Sequence, residues 1–139
     1  MKLAEGIIHG TLESKSNSRR VVKRGSKPMM IKSDKARAYT ESAVAQLRAL
    51  KARNGCPTLE MDVTLAVLVH YPDARRDLDI ELLCDCLQKA EIIGNDRQIV
   101  EKHACVATRK SNEPLLIFVL RDALTDQRQR AAAFTGEFL

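Results

Sequence analysis

The sequence predicts an α/β chain of the α+β kind, a mixed β-sheet of four to five strands packed with two main helices. Three observations carry this. Met61, Val63, Leu65, Val67 and Val69 alternate with other residues at the two-residue period of a strand. Two segments, one opening at Ser33 or Asp34 and one lying between Asp77 and Ala90, repeat apolar residues at helical spacing. Strand-like and helix-like segments follow one another in the order β-β-α-β-α-β-β, which sets helices against a mixed sheet.

Each element has its own justification. Leu3 to Leu12 contains Ile7, Ile8 and Leu12 and reads as an edge or first strand. Ser14 to Pro28 is polar and basic and carries Gly25, so a loop is expected, with a short returning strand at Met29 to Ile31. Ser33 or Asp34 caps the first helix, Tyr39, Ala43, Leu47 and Leu50 form its buried stripe, and Gly55 and Pro57 end it. Leu59 to Val69 is the alternating strand, with Asp62 and Thr64 on its other face and Pro72 stopping it. The second helix starts near Asp77 to Ile80 and runs to about Ala90. Its apolar residues Leu78, Leu82, Leu83, Cys86, Leu87 and Ala90 cover more than one narrow stripe. Gln98 to Thr108 and Leu115 to Leu120 read as strands joined by the polar turn Arg109 to Pro114. Residues 122–134 read as a C-terminal helix with Arg128 and Arg130 exposed. The chain of 139 residues is thus read as one domain over 1–121, with a basic loop at 14–28, followed by a helical tail at 122–139.

Composition excludes several classes. With 45% apolar and 29% charged residues the chain is globular rather than disordered. No apolar run approaches a membrane span, and Glu5 and His9 interrupt the apolar core a signal peptide needs. The expectation is a cytoplasmic protein of a bacterial or phage-infected cell, with no membrane partner and no nucleotide cofactor. Cys56, Cys84, Cys86 and Cys105 are expected as free thiols. A zinc site from Cys84, Cys86, His103 and Cys105 is disfavoured, because helix residues two apart point about 200° away from each other. His70 and His103 are read as strand-face residues and Tyr39 as core.

The net charge of +5 is concentrated. Between Lys15 and Arg37 there are nine basic residues and one acid, Asp34. Such a block repels itself unless a polyanion lies nearby; the alternative is a solvated loop without a partner. Aromatic residues, at 4%, supply no stacking platform for single strands, which leaves phosphate and shape recognition by Lys and Arg.

The carboxylates tip the balance toward nucleic acid. Asp77 and Asp79 are two apart, so an extended backbone turns both to one side. Asp96 lies in the turn after the second helix, and a short helical return brings it toward the pair. Three clustered carboxylates make a hard oxygen site for Mg²⁺, with Mn²⁺ as a possible substitute, and Mg²⁺ on a basic protein points to phosphodiester chemistry. Arg75, Arg76 and Arg97 flank the cluster and are suited to gripping phosphates. Each acid alone has a plainer reading: one of the pair caps the helix, and Gly94-Asn95-Asp96 is ordinary turn chemistry.

Arg75-Arg76-Asp77-Leu78-Asp79, then Asp85-x-Leu87-x-Lys89-Ala90, then Asn95-Asp96-x-Gln98-Ile99-Val100, resembles the RusA family of Holliday-junction resolvases of phages and prophages. Ser16-Asn17-x-x-Arg20 is similar to that family's early loop, and the likeness spans roughly Gly6 to Leu120. The resemblance implies a small α/β homodimer that cuts four-way or other branched DNA with Mg²⁺. It implies Asp77, Asp79 and Asp96 as metal-holding catalytic residues and Arg76 as a catalytic arginine. DNA contacts would come from Lys15, Asn17, Arg19, Arg20, Lys23, Arg24, Lys27, Arg75 and Arg97. Asn95 stands where many members have another Asp. The family's Asn and Lys after the second Asp have no counterpart; Ile80 and Leu83 stand there, and the segment to Asp85 is two residues shorter. Glu81 is then a further metal ligand, and Lys102 or Arg97 brings positive charge from another element. The other expectation is a dimeric DNA-binding protein of the same fold that lost catalysis, or a less selective nuclease.

Overall fold

The computed structural model describes residues 2–15, 19–25 and 27–123, with Arg128 and Ala131; for 19–24 and 27–32 it describes the backbone. The elements are β1 (Lys2–His9), β2 (Arg19–Arg24), β3 (Lys27–Lys32), α1 (Asp34–Asn54), β4 (Val63–His70), α2 (Glu81–Lys89), β5 (Ile99–Thr108) and β6 (Leu115–Asp122). A short 3-10 turn at Asp96–Gln98 precedes β5.

The architecture is α+β. Four strands form a mixed sheet in the order β1-β6-β4-β5. β6 runs antiparallel to both its neighbours, while β4 and β5 are parallel and joined by the α2 crossover. β2 and β3 form a separate antiparallel hairpin, so the sheet has four strands and the hairpin stands apart from it.

That hairpin corrects the expected loop at 14–28. Val21 and Val22 on one side and Met29 to Ile31 on the other are good strand formers, and Gly25 supplies the left-handed turn, with φ 65°. Both strands of a two-stranded sheet are edges, and Lys and Arg in an edge sequence discourage pairing with other chains. The expected C-terminal helix at 122–134 lies largely outside the described residues, as does Asn17.

α1 carries its own start and stop. The Ser33 Oγ accepts from the Ala36 N–H at 3.2 Å, and Gly55 closes the helix at φ 61°. Ala36, Tyr39, Thr40, Ala43 and Leu47 are buried, a single stripe along one side. At Gly6 of β1 the helix lies so close that a Cβ would sit 2.6 Å from the Leu50 side chain.

α2 starts at Glu81, later than expected, and is short. Leu82, Leu83, Cys84, Cys86 and Leu87 are all buried, leaving Glu81, Asp85, Gln88 and Lys89 facing outward. Both helices share one core with Ile8, Leu65, Val67, Leu116 and Phe118 on one face of the sheet. Among the described residues no helix is long and apolar enough to cross a membrane.

Candidate functional site

The segment from Tyr71 to Ile80 presents the first two aspartates, and two side chains fix its path. The buried Tyr71 donates from its hydroxyl to the Asp77 carbonyl at 3.0 Å. Arg109 donates to the Arg76 carbonyl and stacks over the Tyr71 ring at 5.8 Å. Burial raises the Tyr71 phenol above its ordinary range, so it stays a donor. Arg109 sits in a turn and Tyr71 at a strand end; neither position has a periodic sequence signal, and sequence reasoning missed both.

Asp79 is engaged at both oxygens. One accepts from the Glu81 N–H at 3.0 Å, capping α2, whose preceding residue Ile80 has no side-chain acceptor. The other accepts from Ser14 Oγ at 2.8 Å. The next residue, Lys15, pairs with Asp85 at 3.0 Å. The root of the basic hairpin is therefore tied at two successive residues to the outward edge of α2. Further along, Lys102 of β5 meets Glu81 at 2.8 Å, and this hydrogen bond raises the Lys102 pKa. Glu81 and Asp85 are one helical turn apart and share a face. A row of carboxylates results, from Asp79 through Glu81 to Asp85, each paired with a hydroxyl or ammonium from another part of the chain.

Asp96 belongs to the far end of that row. Its N–H donates to the Gln88 side chain at 2.8 Å. Asn95 and Gln98 cap the turn reciprocally, and Gln98 also donates to the carbonyls of Leu59 and Met61, both at 2.8 Å. Asp96, Asp85, Asn95 and Arg97 line an open hollow of about 410 Å³. Asp77 lines a different hollow, of about 530 Å³, with Arg75, Arg76, Lys35 and Ser14. Within it Arg76 is committed to Glu13 at 2.7 Å and to Asp73 at 3.6 Å.

The structure thus gathers Asp79, Glu81 and Asp85 along one edge, sets Asp96 and Arg97 beside Asp85, and places Asp77 in the hollow of Arg75, Arg76 and Ser14, the residue that also bonds Asp79. The partners Ser14, Asp85 and Gln88 were not among the expected site residues. Asp79 is held at the first residue of α2 and Asp96 near its last turn, about 10 Å apart along the axis for a helix of this length. Among the described residues no group of three or more His, Cys, Asp or Glu side chains is placed to hold a metal ion. The donor chemistry suits a hard cation, but Asp77, Asp79 and Asp96 as they stand do not fit one ion. Mg²⁺ commonly binds one or two carboxylates with substrate phosphates completing its shell, and the carboxylate row offers that much.

The other expectations fall into place around this row. The four cysteines are free; Cys84 and Cys86 are buried and Cys105 is exposed on β5. Burial pushes the Cys84 thiol up to about 11. His103 hydrogen-bonds Glu101 at 2.7 Å on the strand face. No protein-family model matches the chain, and no curated protein matches it significantly.

Proposed function

We propose that this chain is a RusA-like endodeoxyribonuclease of branched DNA, working as a homodimer with Mg²⁺ as cofactor. One observation carries the reading: Ser14 and Lys15, at the root of a hairpin rich in Arg and Lys, are bonded to Asp79 and Asp85. A polyanion gripped by Arg19, Arg20, Lys23, Arg24 and Lys27 is thereby delivered to a row of carboxylates. Arg75, Arg97 and Lys102 lie on either side of the row, where they bind and orient phosphates. Mg²⁺, when bound, supplies a polarised phosphoryl oxygen and a more acidic water. Glu81 holds Lys102 charged and aimed along the row.

A second reading is favoured by the state of Asp79, whose oxygens both already have partners, and by Leu83 standing in the sequence where the resembled family has its lysine. In that reading the chain binds branched DNA without cutting it.

The test is a synthetic four-way junction beside its linear duplex, with and without Mg²⁺, using the parent protein and Asp79→Asn and Asp85→Asn variants. Paired nicks on the junction, lost in Asp79→Asn, uphold the nuclease. Tight junction binding with no cut in Mg²⁺ or Mn²⁺ upholds the second reading. No preference for DNA over a neutral polymer sinks both.

A further inference from the structure

Three consecutive residues ahead of the hairpin each hold a different residue of the candidate site. Glu13 accepts from the Arg76 guanidinium at 2.7 Å, Ser14 donates to Asp79 at 2.8 Å, and Lys15 pairs with Asp85 at 3.0 Å. Their Cα atoms span two peptide units, at most about 7.6 Å of chain. The charged side chains are shielded: Glu13 is 12% exposed, Asp85 20%, Arg76 26% and Lys15 34%. Screening by water and salt is weaker there than for an open surface pair.

Each of the three has the chemistry of something a phosphodiester reaction brings. The Glu13 carboxylate is an anion on a guanidinium, the place of a phosphate. The Lys15 ammonium is a cation on a carboxylate, the place of a divalent ion, and the Ser14 hydroxyl donates to Asp79 as a metal-bound water does. Glu13 and Ser14 line the hollow of about 530 Å³ whose wall also carries Lys35, Arg75 and Arg76, so the carboxylate sits among three cations. Asp73 and Asp77 line it too, and Asp73 is the more distant partner of Arg76, at 3.6 Å.

We propose that Glu13-Ser14-Lys15 is a latch that stands in for phosphate and divalent cation and that either ligand displaces. Resting on the proposed reading of Arg76, Asp79 and Asp85 as phosphate- and cation-binding residues, the latch adds the regulation of that site. Its fixed end is Leu12, 2% exposed in the core with Ile8, so displacement begins after it. Because the three residues are consecutive, a phosphate that takes Arg76 from Glu13 loosens Ser14 and Lys15 as well. A cation that takes Asp79 or Asp85 loosens Glu13 in turn. Phosphate and cation therefore favour each other's binding through the strap, and by linkage the effect is reciprocal. The two partners of Asp79 also differ in standing: the Glu81 N–H belongs to α2 and stays, whereas the Ser14 hydroxyl is exchangeable.

The test reads cation binding and proteolysis, with no DNA present. Mn²⁺ binding, counted by electron paramagnetic resonance, is compared in the parent, Ser14→Ala and Glu13→Gln. Both variants should bind Mn²⁺ more tightly, by about five-fold, the low end of ordinary coupling between sites. Glu13→Gln is the sharper of the two. Losing a nearby negative charge by itself weakens cation binding, whereas losing the latch strengthens it. In the parent, saturating Mn²⁺ should also speed trypsin cutting after Lys15 several-fold, read by mass spectrometry. Unchanged or weaker Mn²⁺ binding in Glu13→Gln, no Mn²⁺ binding in any of the three proteins, or a cutting rate at Lys15 indifferent to Mn²⁺ would each overturn the latch. A latch that responds in this way in a protein that leaves four-way junctions uncut refutes the nuclease alone. Junction cleavage without any of these responses refutes the latch alone.

Discussion

The two helices of this chain are built on opposite plans. α1 is 21 residues long, carries its own caps and buries one stripe, so most of its surface faces solvent. α2 has nine residues and no cap of its own, and it buries most of its circumference. Three of the residues α2 leaves outside, Glu81, Asp85 and Gln88, hold Lys102, Lys15 and the Asp96 backbone. The long helix is scaffold, stable by local sequence; the short helix exists because the core and its borrowed cap, Asp79, hold it. A site built on such a helix inherits the rigidity of the core beneath it.

Core truncation should break this comparison most strongly. Leu83→Ala in α2 and Leu47→Ala in α1 both remove fully buried leucines and should each cost about 2–5 kcal/mol in urea unfolding. DNA affinity, measured under conditions where both variants are folded, should fall only for Leu83→Ala. Equal loss in both would mean that the row on α2 is not the binding edge.

The helix starts come next. Ser33→Ala and Asp79→Ala each remove a side-chain acceptor at a helix N-terminus and should cost about 1 kcal/mol. Only Asp79→Ala also removes the acceptor of the Ser14 hydroxyl at the hairpin root, so trypsin should cut the hairpin faster in that variant than in Ser33→Ala.

Alkaline pH should sharpen the contrast between the helix cores. The unfolded Cys84 thiol ionises near 9.0, whereas the folded one resists to about 11. Between these values the unfolded chain binds fewer protons, so stability falls as pH rises from about 9 to about 11. Denaturant midpoints of Cys84→Ala should decline less steeply over that window than those of the parent.

The smallest stability effects belong to the exposed ends of the row. Lys15→Met and Lys102→Met remove half-exposed ion pairs and should shift unfolding by about 0.5 kcal/mol or less. Under the proposed function their effect on DNA should be larger: each removal should weaken binding with a shallower salt dependence, by about one ion. Unchanged salt slopes would detach these lysines from the DNA.

The legible part of this molecule was what local chemistry dictates. α1 could be read from Ser33 and Gly55, and β4 from its alternation, because caps and periodicity are written in neighbouring residues. The returning strand at Met29 to Ile31 was expected and is β3, whereas β2 was missed because its charged positions masked Val21, Val22 and the Gly25 turn. α2 was expected to open near Asp77 to Ile80, since Leu78 fits the helical period, and opens just after, at Glu81, because the cap is Asp79. The proximity of Asp85 to Lys15, or of Ser14 to Asp79, had no signal at all; contacts across 70 and 65 residues depend on the assembled fold. The same distance dependence explains why Asp77 and Asp96, which look like members of one cluster along the chain, line different hollows.

The moored root of the hairpin limits what the tip can touch. From Lys15, fixed on Asp85, to Gly25 at the turn is ten residues, a contour of at most about 35 Å. At 3.4 Å per base-pair step that length corresponds to about ten steps, one turn of the double helix. Under the proposed function the chain therefore carries its own measuring tape, and a branch point contacted by the tip would lie within a single turn of the carboxylates.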